Sequence, residues 1–172
     1  MDTNLKTSIW RQFGASIDYL EDAVSACPDQ LWRSSLWNNQ SAKPEFSQVW
    51  YNVYHALFWL DLYLTGTEEG FLPPAPFTLI EQDHDGPLPE SVYTKAELQA
   101  YLKDCREKCK ATIEALTDET AQRRCEFSWG ELSFLELLIY NMRHTQEHAA
   151  QLSLLLGQNV GPQADYVTQV VN

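Results

Sequence analysis

Apolar residues recur at steps of three and four over residues 5–26, at Leu5, Ile9, Phe13, Ile17, Leu20 and Val24. That spacing places them on one face of an amphipathic helix. Pro28 ends it, and Pro28-Asp29-Gln30-Leu31-Trp32 reads as a single extra turn. After the polar loop Asn38-Asn39-Gln40-Ser41, Pro44 suits the first turn of a second helix. Phe46, Val49, Trp50, Val53, Tyr54, Leu57, Leu60 and Leu64 follow before Gly66 stops it. A helix so apolar on all sides is a buried element. The periodicity fails over residues 66–92. It resumes at Thr94, whose capping box with Glu97 opens a third helix through Leu98, Tyr101, Leu102, Cys105, Cys109, Ile113 and Leu116. Thr117-Asp118-Glu119-Thr120 starts a short turn. A fourth long helix is expected from about Ser128, boxed with Glu131, to Leu156, with Gly157 closing it. The tail after Pro162 is mildly apolar (Tyr166, Val167, Val170, Val171) and is expected to pack along the helices or fray. No stretch reads as a strand, and no internal repeat is visible.

These elements predict an all-α fold, a four-helix bundle forming a single domain over residues 1–172. The shorter links join helices 1 to 2 and 3 to 4 as antiparallel neighbours. The 66–92 connection can run back the roughly 33 Å of the second helix, so helices 2 and 3 can lie parallel. The order is then up-down-down-up. This connection holds five of the eight prolines and six acidic residues with no Lys or Arg, so −6 of the net −12 charge sits there. A loop so long is a crossover or a functional segment.

The charge narrows the partners. With 12 Lys plus Arg against 24 Asp plus Glu, the chain lacks the clustered cations that phosphate backbones and anionic membranes attract, so neither nucleic acid nor membrane is expected as a partner. No run of about 18 apolar residues predicts a transmembrane helix. Cys27, Cys105, Cys109 and Cys125 match no zinc-finger spacing. With no export signal at Met1-Asp2-Thr3-Asn4, they read as reduced thiols in a cytoplasmic protein.

Only four histidines are present: His55, His84, His144 and His148. Glu81 and His84 have the Glu-x-x-His spacing of di-iron helices, but they fall in the acidic loop without a second copy. His84 is therefore expected to be solvated. His144 and His148 stand four residues apart on one face of the fourth helix. That face runs Phe134, Leu137, Asn141, His144, His148, Gln151, Leu155, apolar at both ends and polar in the middle. A buried polar stripe needs partners. Ordinary hydrogen bonds would serve, and so would a metal ion, with Asn141 and Gln151 behind the ligands. His55 lies midway along the most apolar helix, among Tyr51, Asn52, Phe58 and Trp59. Three histidines on two buried helices have the composition of an open catalytic metal site. His144-Thr145-Gln146-Glu147-His148 also fits an inverted zinc-protease pattern, yet the further acidic ligand such proteases require is not supplied downstream, where Asp165 is the only acid.

These residues resemble the DinB/YfiT-like family of four-helix-bundle metalloproteins. The resemblance is carried by Tyr51-Asn52-Val53-Tyr54-His55, by His144-x-x-x-His148-x-x-Gln151-Leu152, and by Ser128-Trp129-Gly130-Glu131-Leu132. It covers roughly residues 5–157. It implies that His55, His144 and His148 are the ligands of one divalent ion, zinc or nickel. Characterised members include transferases that use a low-molecular-weight thiol and a mycothiol-dependent isomerase. The resemblance therefore implies a metal-dependent enzyme acting on a small-molecule substrate. A metal-dependent hydrolase, a non-catalytic metal- or ligand-binding protein and a metal-free bundle remain open. No catalytic residue is assigned, although Glu147 and Asp61 are candidate general bases. The six Trp and eight Tyr, with the family's habit, lead to the expectation of a homodimer.

Overall fold

The computed structural model describes residues 1–170 except 39, 41–42, 84–85 and 162–163. It is mostly helical. The elements are α1 (Thr3–Ala26), α2 (Val49–Thr65), α3 (Lys95–Glu114), the short α4 (Asp118–Gln122), β1 (Arg124–Phe127), β2 (Gly130–Ser133) and α5 (Phe134–Asn159). Three 3-10 turns, Asp29–Leu31, Pro44–Ser47 and Leu79–Gln82, lie in the connections.

Capping chemistry sets the helix limits. The Asp2 carboxylate accepts from the Asn4 N–H at 2.9 Å at the start of α1. The Thr94–Glu97 box opens α3, as its sequence predicts. Pro44 begins a 3-10 turn rather than α2 itself. The first α2 donors are met by the turn that follows the first 3-10 segment, with Val49 and Trp50 N–H groups donating to the Ser34 and Trp32 carbonyls at 3.0 Å each. Gly66 ends α2 in the left-handed region, at φ 74°, where a side chain would be strained. Arg123 then donates to the Thr65 carbonyl at 3.1 Å, placing a cation at the negative end of the helix.

Two expectations need correction. The fourth long helix does not begin near Ser128. Residues 124–133 form an antiparallel hairpin in which Phe127 pairs with Gly130. Cys125 and Phe127 point inward while Arg124 and Glu126 point outward, a period of two in a segment too short to stand out beside the following helix. The cap is Ser133, whose hydroxyl accepts from the Glu136 N–H at 3.3 Å, while its own N–H donates to the Glu136 carboxylate at 2.9 Å. Gly157 lies inside α5 rather than closing it. Ser133→Ala is thus expected to cost about 1 kcal/mol in denaturant unfolding. Ser128→Ala, at an exposed turn, should stay within about 0.5 kcal/mol.

The second correction concerns neighbours. α1 packs mainly on α3 and α5, and α2 packs mainly on α3 and α5, so the short-linked pairs α1–α2 and α3–α5, expected as neighbours, are not the main contacts. Along α1 and α3, Gln99 meets Ser25 at 3.1 Å, Arg106 meets Asp18 at 2.6 Å and Lys6 meets the Glu114 carbonyl at 2.9 Å. These two helices run in opposite directions. α2 and α5 also oppose, since Leu60 meets Asn141 while His55 meets His144. α2 and α3 run the same way: Trp50 touches Tyr93, Leu57 touches Cys105 and Asp61 touches Lys108. The core between them is filled by side chains such as Phe13, Ile17, Tyr54, Phe58, Leu98 and Leu137. The tail packs on α1. The Val170 N–H donates to the Arg11 carbonyl at 3.0 Å, and Val170 sits where a Cβ on Gly14 would meet it at 2.8 Å. No helix of the described residues is long and apolar enough to cross a membrane.

Candidate metal centre

Asn141, one turn before His144, is fully buried and donates to the Leu60 carbonyl at 3.0 Å. This bond fixes α5 against α2 and sets the height at which their histidines meet. The sequence suggested Asn141 as support for the ligands, but its amide bonds to α2 backbone instead. Four-residue spacing then aims His144 and His148 at His55. Their Nε2 atoms converge: His144 lies 3.3 Å from His55 and 3.1 Å from His148. All three candidate ligand atoms fall within 4.8 Å of one another.

Three ring nitrogens facing one another fit a cation. Tetrahedral ligands about 2.0–2.1 Å from zinc stand roughly 3.3 Å apart, close to the separations here. Burial, followed by the neighbouring histidine charges, holds His144 down to about 3. Burial and the His55 charge hold His148 down to about 4. Both are therefore neutral, as a ligand must be, well below the ordinary histidine range near 6.5. Proton competition at these two rings is displaced downward from the value their sequence alone suggests.

The acidic connection supplies the residue that the sequence did not single out for this site. Its 3-10 turn Leu79–Gln82 lays the Glu81 side chain, 4% exposed, against α2. Glu81 Oε2 accepts from His55 Nδ1 at 2.6 Å and from the Trp59 indole at 3.1 Å, and Oε1 accepts from the Tyr51 hydroxyl. Burial pushes the Glu81 carboxyl up, but these hydrogen bonds and the His55 charge outweigh it, leaving it below the usual range. A carboxylate on Nδ1 fixes the tautomer that leaves Nε2 free for an ion. The available signal was Leu79-Ile80, an apolar pair inside an acidic loop. The paired reading of Glu81 with His84 lies outside the described residues, because His84 does.

The two candidate bases separate. Asp61 is buried between α2 and α3, ion-paired with Lys108 and bonded by the Tyr101 hydroxyl at 2.9 Å. It is engaged in packing away from the histidines. Glu147 is exposed and, with Tyr140, Arg143 and His144, lines a cleft of about 130 Å³ beside the cluster. The His144 Nδ1, His148 Nδ1 and Gln151 Oε1 atoms are buried without hydrogen-bond partners among the described residues.

A mostly helical protein with three histidines from two packed helices, placed to hold one divalent ion, defines the class. The sequence profile of the DinB superfamily matches residues 12–152, and the chain belongs to that superfamily. No curated protein and no solved structure matches it.

Proposed function

We propose that His55, His144 and His148 bind one divalent ion, zinc or nickel, in a metal-dependent enzyme acting on small molecules. The observation that carries this is the convergence of three Nε2 atoms, two of them on rings kept neutral by burial. A bound ion with open positions would lower the pKa of a water or a low-molecular-weight thiol and hold its reactive anion. The chain's own groups do the rest. Glu81 orients His55, the α2–α5 contact at Asn141 keeps the rings in register, and Glu147 stands at the cleft to accept a proton. Thiol transfer is the reading we favour, by family membership. Hydrolysis and non-catalytic binding are the outcomes against which it is tested.

The architecture we infer is a single-domain four-helix bundle of up-down-down-up order spanning residues 1–172. The opposed pairs α1–α3 and α2–α5 and the parallel pair α2–α3 support it. We further propose a cytoplasmic homodimer, supported by four buried free thiols and by exposed Trp37, Leu72 and Tyr166. Light scattering is expected to give about twice the 19.8 kDa chain mass. The chemistry is tested by supplying protein loaded with zinc or nickel with thiol and electrophile pairs and with ester substrates. Thiol consumption that disappears with chelator supports transfer, ester cleavage alone supports hydrolysis, and silence in both supports non-catalytic binding.

A further inference from the structure

On the outer side of Glu81 lies a cavity of about 300 Å³, lined by Trp59, Tyr63, Glu68, Glu81, Trp129 and neighbouring loop residues. That volume is at the small end of the roughly 300–1,000 Å³ usual for small-molecule sites. Three elements build it: α2 gives Trp59 and Tyr63, the turn Leu79–Gln82 gives Glu81, and the hairpin loop gives Trp129. Trp129 is 46% exposed, although it stacks on Phe127 with planes 4° apart and on Tyr140 with planes 25° apart. The hairpin thus holds a large aromatic surface partly in solvent, where the hydrophobic effect alone would bury it.

The electrostatics of the walls have one sign. The Glu81 carboxylate already accepts from His55, Trp59 and the Tyr51 hydroxyl, whereas Glu68 forms no ion pair among the described residues. No Lys or Arg is among the described lining residues. Elsewhere in the molecule the chain places its own cations over aromatic rings: Lys95 over Trp32, Lys108 over Phe71, Arg106 and Lys110 over Trp10, Arg123 over Phe134. Trp59, Tyr63 and Trp129 carry no such partner among the described residues. Aromatic faces attract cations through their quadrupole, most strongly when water is excluded.

We propose that this cavity binds an organic cation, an ammonium or methylated ammonium head group, against the Trp59 and Trp129 rings of its wall, with the exposed Glu68 carboxylate as its counter-charge. An anionic ligand would meet the same carboxylate and be repelled. A neutral apolar ligand would gain the rings but leave the Glu68 carboxylate without a counter-ion. This goes beyond the metal reading and does not depend on it, because no histidine of the cluster lines the cavity. The two sites nevertheless adjoin, since Glu81 faces the cavity and also holds His55.

The test uses the full-length protein in the presence of a chelator. Choline and its uncharged isostere 3,3-dimethylbutan-1-ol are titrated, with calorimetry and tryptophan fluorescence as readouts. Choline is expected to bind about tenfold tighter than the isostere, and Trp129→Ala to weaken choline by about the same factor. Glu68→Gln, an exposed change that leaves the hairpin intact, should weaken choline but not the isostere. His144→Ala should bind choline as the wild type does, which separates this site from the metal centre. Equal binding of the two probes, no saturable choline binding, or unchanged choline affinity in both Trp129→Ala and Glu68→Gln would overturn the proposal. Loss of choline binding in His144→Ala would also overturn it, by moving the cation to the cluster.

Discussion

Protein purified at neutral pH without a histidine tag is expected to carry one divalent ion per chain, and His55→Ala, His144→Ala and His148→Ala each to lose it. Each ring contributes one nitrogen to a single point, so deleting any one leaves two donors and an ion more exposed to water. An ion held at a thousandfold above its Kd adds about 4 kcal/mol to the native state. For a chain of this length that is a melting shift on the order of 10 °C. Chelator should therefore lower the wild-type melting temperature by about that amount while barely changing the three variants. His84→Ala is expected to keep the ion. Full occupancy in His55→Ala would show that the ion sits elsewhere. Elemental analysis and calorimetry, with and without chelator, make the measurement.

Glu81 is expected to matter nearly as much as a ligand, although it need not touch the ion. Removing the partner of a metal-binding histidine typically lowers metal affinity 10- to 100-fold, and Glu81→Ala should fall in that range. It also leaves His55, Tyr51 and Trp59 donors without their shared acceptor, a stability loss of about 3 kcal/mol. Glu81→Gln keeps the shape and should fall between. The pH dependence has a definite sign. The folded-state pKa of Glu81 is lowered, so its contribution is complete above the unfolded carboxyl range near 4.3 and is lost as pH falls through the folded value. The stability gap between wild type and Glu81→Gln should hold from about pH 7 to 5 and close on further acidification. Glu147→Gln is the control: an exposed carboxylate that bonds to neither ring should leave melting unchanged. A Glu81→Ala variant with wild-type affinity and melting would remove the carboxylate from the site.

The helices and the three histidines were legible because both announce themselves locally. Apolar spacing in α1 and the Thr94 box are short-range signals, and the His144–His148 pair needs only one helical face. What stayed hidden was set by distance along the chain. Glu81 finds His55 only after a Pro-rich connection folds back on α2, and no spacing rule links positions 55 and 81. The hairpin was missed for another reason. Four alternating residues, Arg124 to Phe127, give a weak period-two signal, while Ser128 and Glu131 imitate a capping box that Ser133 and Glu136 actually form. Asn141 carried the right polarity for a ligand neighbour, but its partner, the Leu60 carbonyl, is a backbone atom that leaves no trace in composition.

The four cysteines give the molecule a built-in clock. Cys27 closes α1, Cys105 and Cys109 lie on the inner face of α3, and Cys125 sits on β1, all buried. Burial pushes each thiol above its ordinary range, so the thiolate, the form that reacts, is scarce while the fold is closed. Alkylation at each position therefore proceeds at the pace of local opening rather than of the reagent. Three parts of the chain can be timed separately in one mass-spectrometric experiment, without introducing a label.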